Sequence, residues 1–89
     1  MKTKLILIAT MLTLSNLAFA KKNCTTEPKS KWMEESVFKA KMESEGYKIR
    51  KFKQPGTCYE IYGQNPEGKN VEVYFNPVTG KVVKSKSDE

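Results

Sequence analysis

The 89-residue chain has no histidine, only two cysteines and no apolar run of the roughly 20 residues that a membrane-spanning helix needs. Without histidine, it lacks the side chain that most often serves as a general base or as a metal ligand. A chain of this length forms one small domain, with no room for a nucleotide-binding fold, a barrel or a two-domain cleft. These absences favour a small binding module over an enzyme.

The first twenty residues have the composition of a secretory signal peptide. The chain starts with basic residues, continues with an apolar run from Leu5 to Leu14, and reaches Ala18-Phe19-Ala20 at the end of this segment. These are the three parts of a signal peptide. We therefore predict that residues 1–20 are cleaved off between Ala20 and Lys21, and that the protein is bacterial and periplasmic or secreted.

Cleavage would change the length and the charge. It would leave 69 of 89 residues, and loss of Lys2 and Lys4 would lower the number of basic residues from 16 to 14. Since 10 acidic residues remain, the net charge would fall from +6 to +4. A basic chain attracts acidic partners, but export argues against nucleic acid as the partner.

The two cysteines, Cys24 and Cys58, both follow the predicted leader and would enter an oxidising compartment. Such a pair in a small exported chain predicts a disulfide. A redox-active pair would have close Cys-x-x-Cys spacing and a lowered thiol pKa, and this pair is far apart. The predicted bridge ties an extended lead-in, residues 21–31, to the domain at 32–84, and contributes roughly 3–4 kcal/mol in the chain-entropy model.

The domain begins with a helical pattern. Met33, Val37, Phe38 and Met42 recur at helical spacing, which predicts a helix over 32–45 that stops at Gly46.

After the helix the pattern becomes strand-like. Apolar residues alternate, and turn-forming Pro and Gly clusters separate strands near 47–53, 58–62, 71–75 and 81–84, followed by a polar tail at 85–89. The predicted fold class is α+β: one N-terminal helix packed on one face of a four-stranded antiparallel meander sheet, with three long strands and one short strand.

One residue of the first strand is out of phase with its neighbours. Tyr47 and Ile49 face the helix, whereas strict alternation would place Phe52 on the uncovered face. A β-bulge near Arg50-Lys51 would return Phe52 to the helix side. The sequence leaves both alternatives open.

Several segments in a fixed order carry a family resemblance. Phe38 and Met42 precede Glu45–Ile49, and these are followed by Cys58–Gly63 and then by the stretch Glu67–Val83, with its Asn-Pro-Val-Thr-Gly turn. In their order and spacing, these segments resemble a PepSY domain of the small, stand-alone exported kind. Asn76 stands where the family most often has aspartate, and both residue types favour the same turn.

The resemblance implies a binding scaffold of a helix on a sheet. PepSY domains occur in propeptides of thermolysin-like peptidases and in many exported or membrane proteins of bacteria, and have been proposed to inhibit or regulate peptidases. The resemblance therefore implies no catalytic, cofactor-binding or metal-binding residues. It implies a protein partner, such as a peptidase or a membrane protein, and gives no oligomeric state.

Two strand glutamates, Glu60 and Glu72, point away from the predicted helix side. Paired carboxylates can perform acid–base chemistry, but an open sheet offers no cleft and the chain no histidine. We interpret both as exposed charges that pair with Lys48, Arg50 or Lys84.

The candidate binding residues are Arg50, Phe52, Tyr62 and Tyr74. Tyr62 and Tyr74, joined by Phe52 if no bulge forms, predict an aromatic patch for a protein partner. The alternatives are cross-strand pairs that only stabilise the sheet, or coverage by the segment around Cys24.

The leading hypothesis is an exported, non-enzymatic module that binds or regulates another protein through the uncovered face or an edge strand. The alternative is a periplasmic binder of a ligand or of an anionic membrane surface, acting through the basic strand 47–53. A solvated strand face without any partner also explains that strand.

Overall fold

The computed structural model describes residues 22–87, so the predicted signal peptide lies outside the described residues. A 3-10 helix, Lys29–Lys31, precedes helix α1, Glu35–Ser44. Four strands follow: β1 Lys48–Lys53, β2 Tyr59–Gln64, β3 Asn70–Phe75 and β4 Val82–Ser87. The strands form one antiparallel sheet in the order β1-β2-β3-β4. The predicted α+β class and meander topology are confirmed.

Helix α1 begins three residues later than predicted, at Glu35. Tertiary hydrogen bonds explain the difference, because they use both backbone groups of Met33. Its N–H donates to the carbonyl oxygen of Pro77 at 2.9 Å, and its carbonyl oxygen accepts a bond from the Tyr59 hydroxyl. Met33 therefore packs against the core from outside the helix.

The helix ends at the predicted glycine. Gly46 has a positive φ of 107°, a conformation that glycine adopts without the penalty that a Cβ brings. The N–H of Tyr47 donates to the carbonyl of Met42, and that of Gly46 to the carbonyl of Glu43, each at 3.1 Å. These two bonds define a Schellman motif, which satisfies the last carbonyls of α1.

The core lies between α1 and one face of the sheet, here called the inner face. Phe38 and Met42 of α1 are fully buried there. They pack against inward side chains of β2 and β3, namely Tyr59, Ile61, Val71, Val73 and Phe75. The predicted helical stripe was too broad, since Val37 is 53% exposed.

A β-bulge at Arg50 settles the position of Phe52. The register shifts between Ile49 and Lys51, so that Arg50 is the extra residue of β1. Beyond the bulge, Phe52 pairs with Ile61 and packs against the core. The bulge alternative is therefore the correct one, and Phe52 belongs to the inner face.

Strand β4 is longer than predicted. It has six residues, as does each of the other strands, and Ser85–Ser87 belong to it rather than to a polar tail. Its backbone continues to pair with β3 although its later side chains are polar. Because the side chains of β4 are largely exposed along its whole length, apolar alternation could not reveal where the strand ends.

The predicted disulfide is confirmed between Cys24 and Cys58. Around it, the N–H of Cys24 donates to the Thr57 hydroxyl at 2.8 Å, and the N–H of Thr57 donates to the carbonyl of Lys22 at 2.9 Å. The lead-in is thus bound to the chain immediately before β2.

Candidate functional site on the outer face

The face of the sheet that α1 does not cover, here called the outer face, carries an acidic and phenolic centre between two basic edges. The strand register places side chains of all four strands on this face. From β1 to β4, its middle consists of Lys51 and Lys53, Glu60 and Tyr62, Glu72 and Tyr74, and Lys84 and Lys86, and Lys48, Gln64 and Asn70 extend it at one end.

The central four side chains alternate between acid and phenol. Glu60 pairs with Tyr74, and Tyr62 pairs with Glu72, across β2 and β3. The hydroxyls of Tyr62 and Tyr74 both donate to Oε2 of Glu72, at 3.1 and 3.0 Å. A single carboxylate oxygen therefore receives two phenolic donors, which fixes the orientation of both rings.

Glu60 and Glu72 form an unequal carboxyl pair. Burial raises the pKa of Glu60, which is only 3% exposed, and a hydrogen bond with Glu72 raises it further. The same bond lowers the pKa of Glu72, aided by the two phenolic donors. When the pair holds a single proton, these shifts place it on Glu60, the carboxyl group with the higher pKa, and leave Glu72 ionised.

The environment of Glu60 agrees with a neutral carboxyl group. Its Oε2 is buried and has no hydrogen-bond partner within residues 22–87. An unpaired oxygen costs far less free energy in a neutral carboxyl group than in a buried carboxylate. Our interpretation of Glu60 as an exposed side chain was wrong, because the residue is buried.

The two phenols remain protonated at neutral pH. Hydrogen bonding with Glu60, together with burial, raises the pKa of Tyr62 to about 12. Burial and the bond to Glu72 raise the pKa of Tyr74. Both hydroxyls thus stay donors, and Glu72 keeps its charge within the sheet.

Basic side chains surround this centre. The ammonium groups of Lys51 and Lys53 lie 5.8 and 5.5 Å from the ring centre of Tyr62. Lys22, from the lead-in, lies 4.9 Å from the ring centre of Tyr74. Cations at these distances over aromatic rings are attracted by the ring quadrupole, so the rings hold part of the positive rim in place.

A hollow of about 250 Å³ crosses the outer face beside this centre. Arg50 of β1, Tyr62 of β2, Glu72 of β3 and Lys86 of β4 line it, together with residues at the adjoining ends of β3 and β4. It is smaller than the 300–1,000 Å³ typical of pockets for drug-sized ligands. Its size suits one or two side chains of a partner better than a large cofactor.

The four candidate binding residues do not form one patch. Arg50 is exposed and lines the hollow, as does half-buried Tyr62. Tyr74 is only 9% exposed and lies beneath Lys22, and Phe52 lies on the inner face. Of the residues of the predicted aromatic patch, Tyr62 and Tyr74 lie on the outer face, where Tyr62 is the more accessible, and Phe52 does not join them.

Sequence reasoning named Glu60 and Glu72 but interpreted both as exposed charges, and it missed Lys86. The turn at Asn65–Gly68 gave a signal, because a hairpin closed there aligns Tyr62 with Glu72 and Glu60 with Tyr74. Lys86 gave none, because its place on the outer face depends on the unexpected length of β4.

The family model described as peptidase propeptide and YPEB domain matches residues 4–86. The chain belongs to the PepSY family. No curated protein matches it, and neither does any solved structure. PepSY membership indicates a propeptide-like or regulatory-like module, and domains of this kind are inhibitor-like rather than catalytic.

The described part of this PepSY chain offers little for other site types. Among residues 22–87, no helix combines the length and the apolar character needed to cross a bilayer. In the same range, no three potential metal ligands of the His, Cys, Asp or Glu types lie together. The outer face thus remains the candidate site.

Proposed function

We propose that this protein is an exported, non-enzymatic PepSY module that binds and regulates another protein, either a peptidase or another protein of the cell envelope. The observation that carries the proposal is the hollow on the outer face, where Arg50, Tyr62 and Lys86 converge from three strands. Family membership supports a regulatory role, and the hollow supplies a place for a partner.

The residues around the hollow suit protein recognition. Tyrosine and arginine are enriched among residues that dominate binding energy in interfaces. The ring of Tyr62 is held by its bond to Glu72, so little side-chain entropy is lost when a partner covers it. Arg50 extends this rigid centre with an exposed, multidentate donor.

The carboxyl pair supports a structural rather than a catalytic role. A general acid or base must reach the atom whose proton it transfers. Glu60 is buried, and the oxygen of Glu72 that receives both phenols is already engaged. The pair therefore orders the outer face, and binding is the function that we assign to that face.

Export rests on the composition of residues 1–20 and is supported by the disulfide. A basic start, a short apolar run and an Ala-x-Ala end suit secretion. A disulfide forms and persists most readily in an oxidising compartment, and Cys24 and Cys58 are joined. We therefore assign the protein to the periplasm or to the secreted fraction.

The test is affinity capture from the envelope fraction of the native cell, with the wild type, Arg50→Ala and Tyr62→Ala as baits. Lys31→Ala is the matched control, because Lys31 is exposed in the 3-10 helix of the lead-in. We expect one protein to be captured by the wild type and the control, and to be lost with both outer-face variants. Equal capture by all four baits would contradict the proposal.

The peptidase role needs a separate measurement. We expect the purified protein to slow substrate cleavage by a peptidase exported from the same cell, and Tyr62→Ala to weaken that inhibition. If the captured partner is not a peptidase and no exported peptidase is inhibited, binding remains and peptidase regulation is excluded.

Binding to an anionic membrane surface is the second candidate function. The β-bulge favours this function, because Arg50 lines the hollow on the face that also carries Lys51 and Lys53. Salt-sensitive binding to anionic vesicles that Tyr62→Ala leaves unchanged would favour this function over protein recognition.

A further inference from the structure

A transverse row of four side chains crosses the outer face at the hollow. Lys51 pairs with Tyr62, Tyr62 with Glu72, and Glu72 with Lys86, with Arg50 as the extra residue of the bulge beside Lys51. The row thus has cations at both ends and a phenol and a carboxylate between them.

The carboxylate in this row already has hydrogen-bond donors within the protein. Glu72 accepts hydrogen bonds from the hydroxyls of Tyr62 and Tyr74 through Oε2, and hydrogen bonding with Glu60 lowers its pKa. A carboxylate with this many donors has little capacity left for a cation from a partner.

The cations on the two sides of the hollow, Arg50 and Lys86, are exposed. Lys86 lies 4.0 Å from Oε1 of Glu72, the limit for an ion pair, and its side chain is 61% exposed. Such an exposed, long pair contributes little free energy, so Lys86 can exchange it for a closer partner. Arg50 is exposed and lines the opposite side of the hollow.

The rest of the outer face also carries a net positive charge. Its basic side chains outnumber its two carboxyl groups, Glu60 and Glu72, and are Lys22, Arg50, Lys51, Lys53, Lys84 and Lys86. This field attracts anions and repels other cations.

We propose that the hollow binds acidic side chains of a partner protein, with a carboxylate held between Arg50 and Lys86. The inference rests on the proposed function, because it names the chemistry of the partner at the same face. The occupant is an exposed segment with several glutamates or aspartates. Its carboxylates contact the guanidinium and ammonium groups, and its chain lies across the ring of Tyr62.

The geometry favours a peptide segment over a flat lipid surface. A carboxylate accepts the planar, two-pronged donor set of arginine in a fixed orientation. A hollow of about 250 Å³ also provides depth for a side chain. An anionic membrane would instead attract every exposed lysine of the protein through its field.

The test uses the disulfide-bonded protein and a fluorescein-labelled peptide with alternating glutamate and serine. The matched probe has glutamine in place of every glutamate. Fluorescence anisotropy measures binding to the wild type, to Arg50→Gln/Lys86→Gln and to the charge-reversed Arg50→Glu/Lys86→Glu.

The control is Lys31→Glu/Lys81→Glu, which makes the same change of net charge away from the hollow. Lys31 lies in the 3-10 helix and Lys81 in the hairpin between β3 and β4. Circular dichroism and thermal unfolding establish that each variant is folded, and the glutamine pair provides the comparison if charge reversal beside Glu72 prevents folding.

We expect saturable binding of the glutamate peptide, no binding of the glutamine peptide, and a loss of roughly tenfold or more in the charge-reversed pair but not in the control. Equal weakening in both pairs would show general charge attraction and overturn the proposal. Absence of saturable binding, or binding to anionic vesicles in preference to the peptide, would also overturn it.

The result can be separated from that of the proposed function. If the native partner is still captured by Arg50→Gln/Lys86→Gln but is lost with Tyr62→Ala, and the peptide does not bind, protein recognition by the outer face stands and the carboxylate site fails. If the peptide binds as expected and no envelope protein is captured, the site stands and the proposed regulatory function fails.

Discussion

Replacing Glu60 by glutamine tests whether the buried carboxyl group is neutral. Glutamine has nearly the same shape, and its amide can still donate to Glu72, but it cannot lose a proton near neutral pH. We therefore expect the fold and the phenolic bonds to Glu72 to be retained. What changes is the dependence of the free energy of unfolding on pH.

The sign follows from the direction of the shift. The pKa of Glu60 is raised in the folded protein above its usual 4.5, so above pH 4.5 the folded state binds more protons than the unfolded state does. The stabilising contribution of Glu60 is complete below 4.5 and is lost as the pH rises through its folded pKa. Each pH unit within that window costs the wild type up to about 1.4 kcal/mol.

The variant lacks this loss, so its stability relative to the wild type should increase as the pH rises. Glu72 has the opposite sign: its lowered pKa gives a contribution that is lost as the pH falls through its folded value. Measurements above pH 4.5 therefore isolate Glu60. The other groups near it on the outer face are Tyr74, Tyr62 and Lys53, and the two phenols stay protonated in this range.

The assay is denaturant unfolding at intervals of one pH unit from 4 to 8, with the disulfide intact. Glu43→Gln is the matched control, because Glu43 is exposed on α1 and its variant should follow the wild-type curve. Parallel curves for Glu60→Gln and the wild type would refute a neutral Glu60. Growing destabilisation of the variant with pH would show that the charge of Glu60 is favourable.

Three further perturbations test the elements that support the outer face. Tyr74→Phe removes a donor to ionised Glu72 and should lower the free energy of unfolding by about 1.5–3 kcal/mol; an unchanged denaturation midpoint would contradict the bond. The Cβ added by Gly63→Ala would overlap the carbonyl oxygen of Lys48. We therefore expect the free energy of unfolding to fall by about 1–3 kcal/mol and amide exchange in β1 to become faster. Full protection of the β1 amides would contradict the close approach. Reducing the disulfide, which links cysteines 34 positions apart, should cost roughly 3–4 kcal/mol in parallel denaturation curves, and coincident curves would contradict its stabilising role.

The helix stop and the meander could be predicted because both depend on short sequence patterns that tertiary contacts do not override. Gly46 supplied the helix stop, and the three turn clusters supplied the meander, because each feature depends on a few neighbouring residues. The start of α1 could not be predicted in the same way. It depends on the bond from Met33 to Pro77, a residue 44 positions away, and no helical pattern contains that information.

The site was less predictable than the fold because its properties arise across strands. Alternation correctly placed Glu60 and Tyr62 opposite the helix-covered face, but it could not show that Glu60 is buried there. The neighbours of Glu60 on the adjacent strands are Lys53 and Tyr74, and alternation within one strand carries no information about them. The sequence left open whether β1 has a bulge at Arg50, and only the register of β1 against β2 shows that it does.

The placement of the lead-in and of β4 has a practical consequence for handling the protein. Lys22 covers Tyr74 at one end of the described residues, and Ser87 lines the hollow at the other. An affinity tag or a surface linkage attached next to Lys22 or Ser87 would therefore sit beside the proposed binding face and mask a partner. A linkage through exposed Ser36 or Ala40 of α1 would instead present the outer face to the solution.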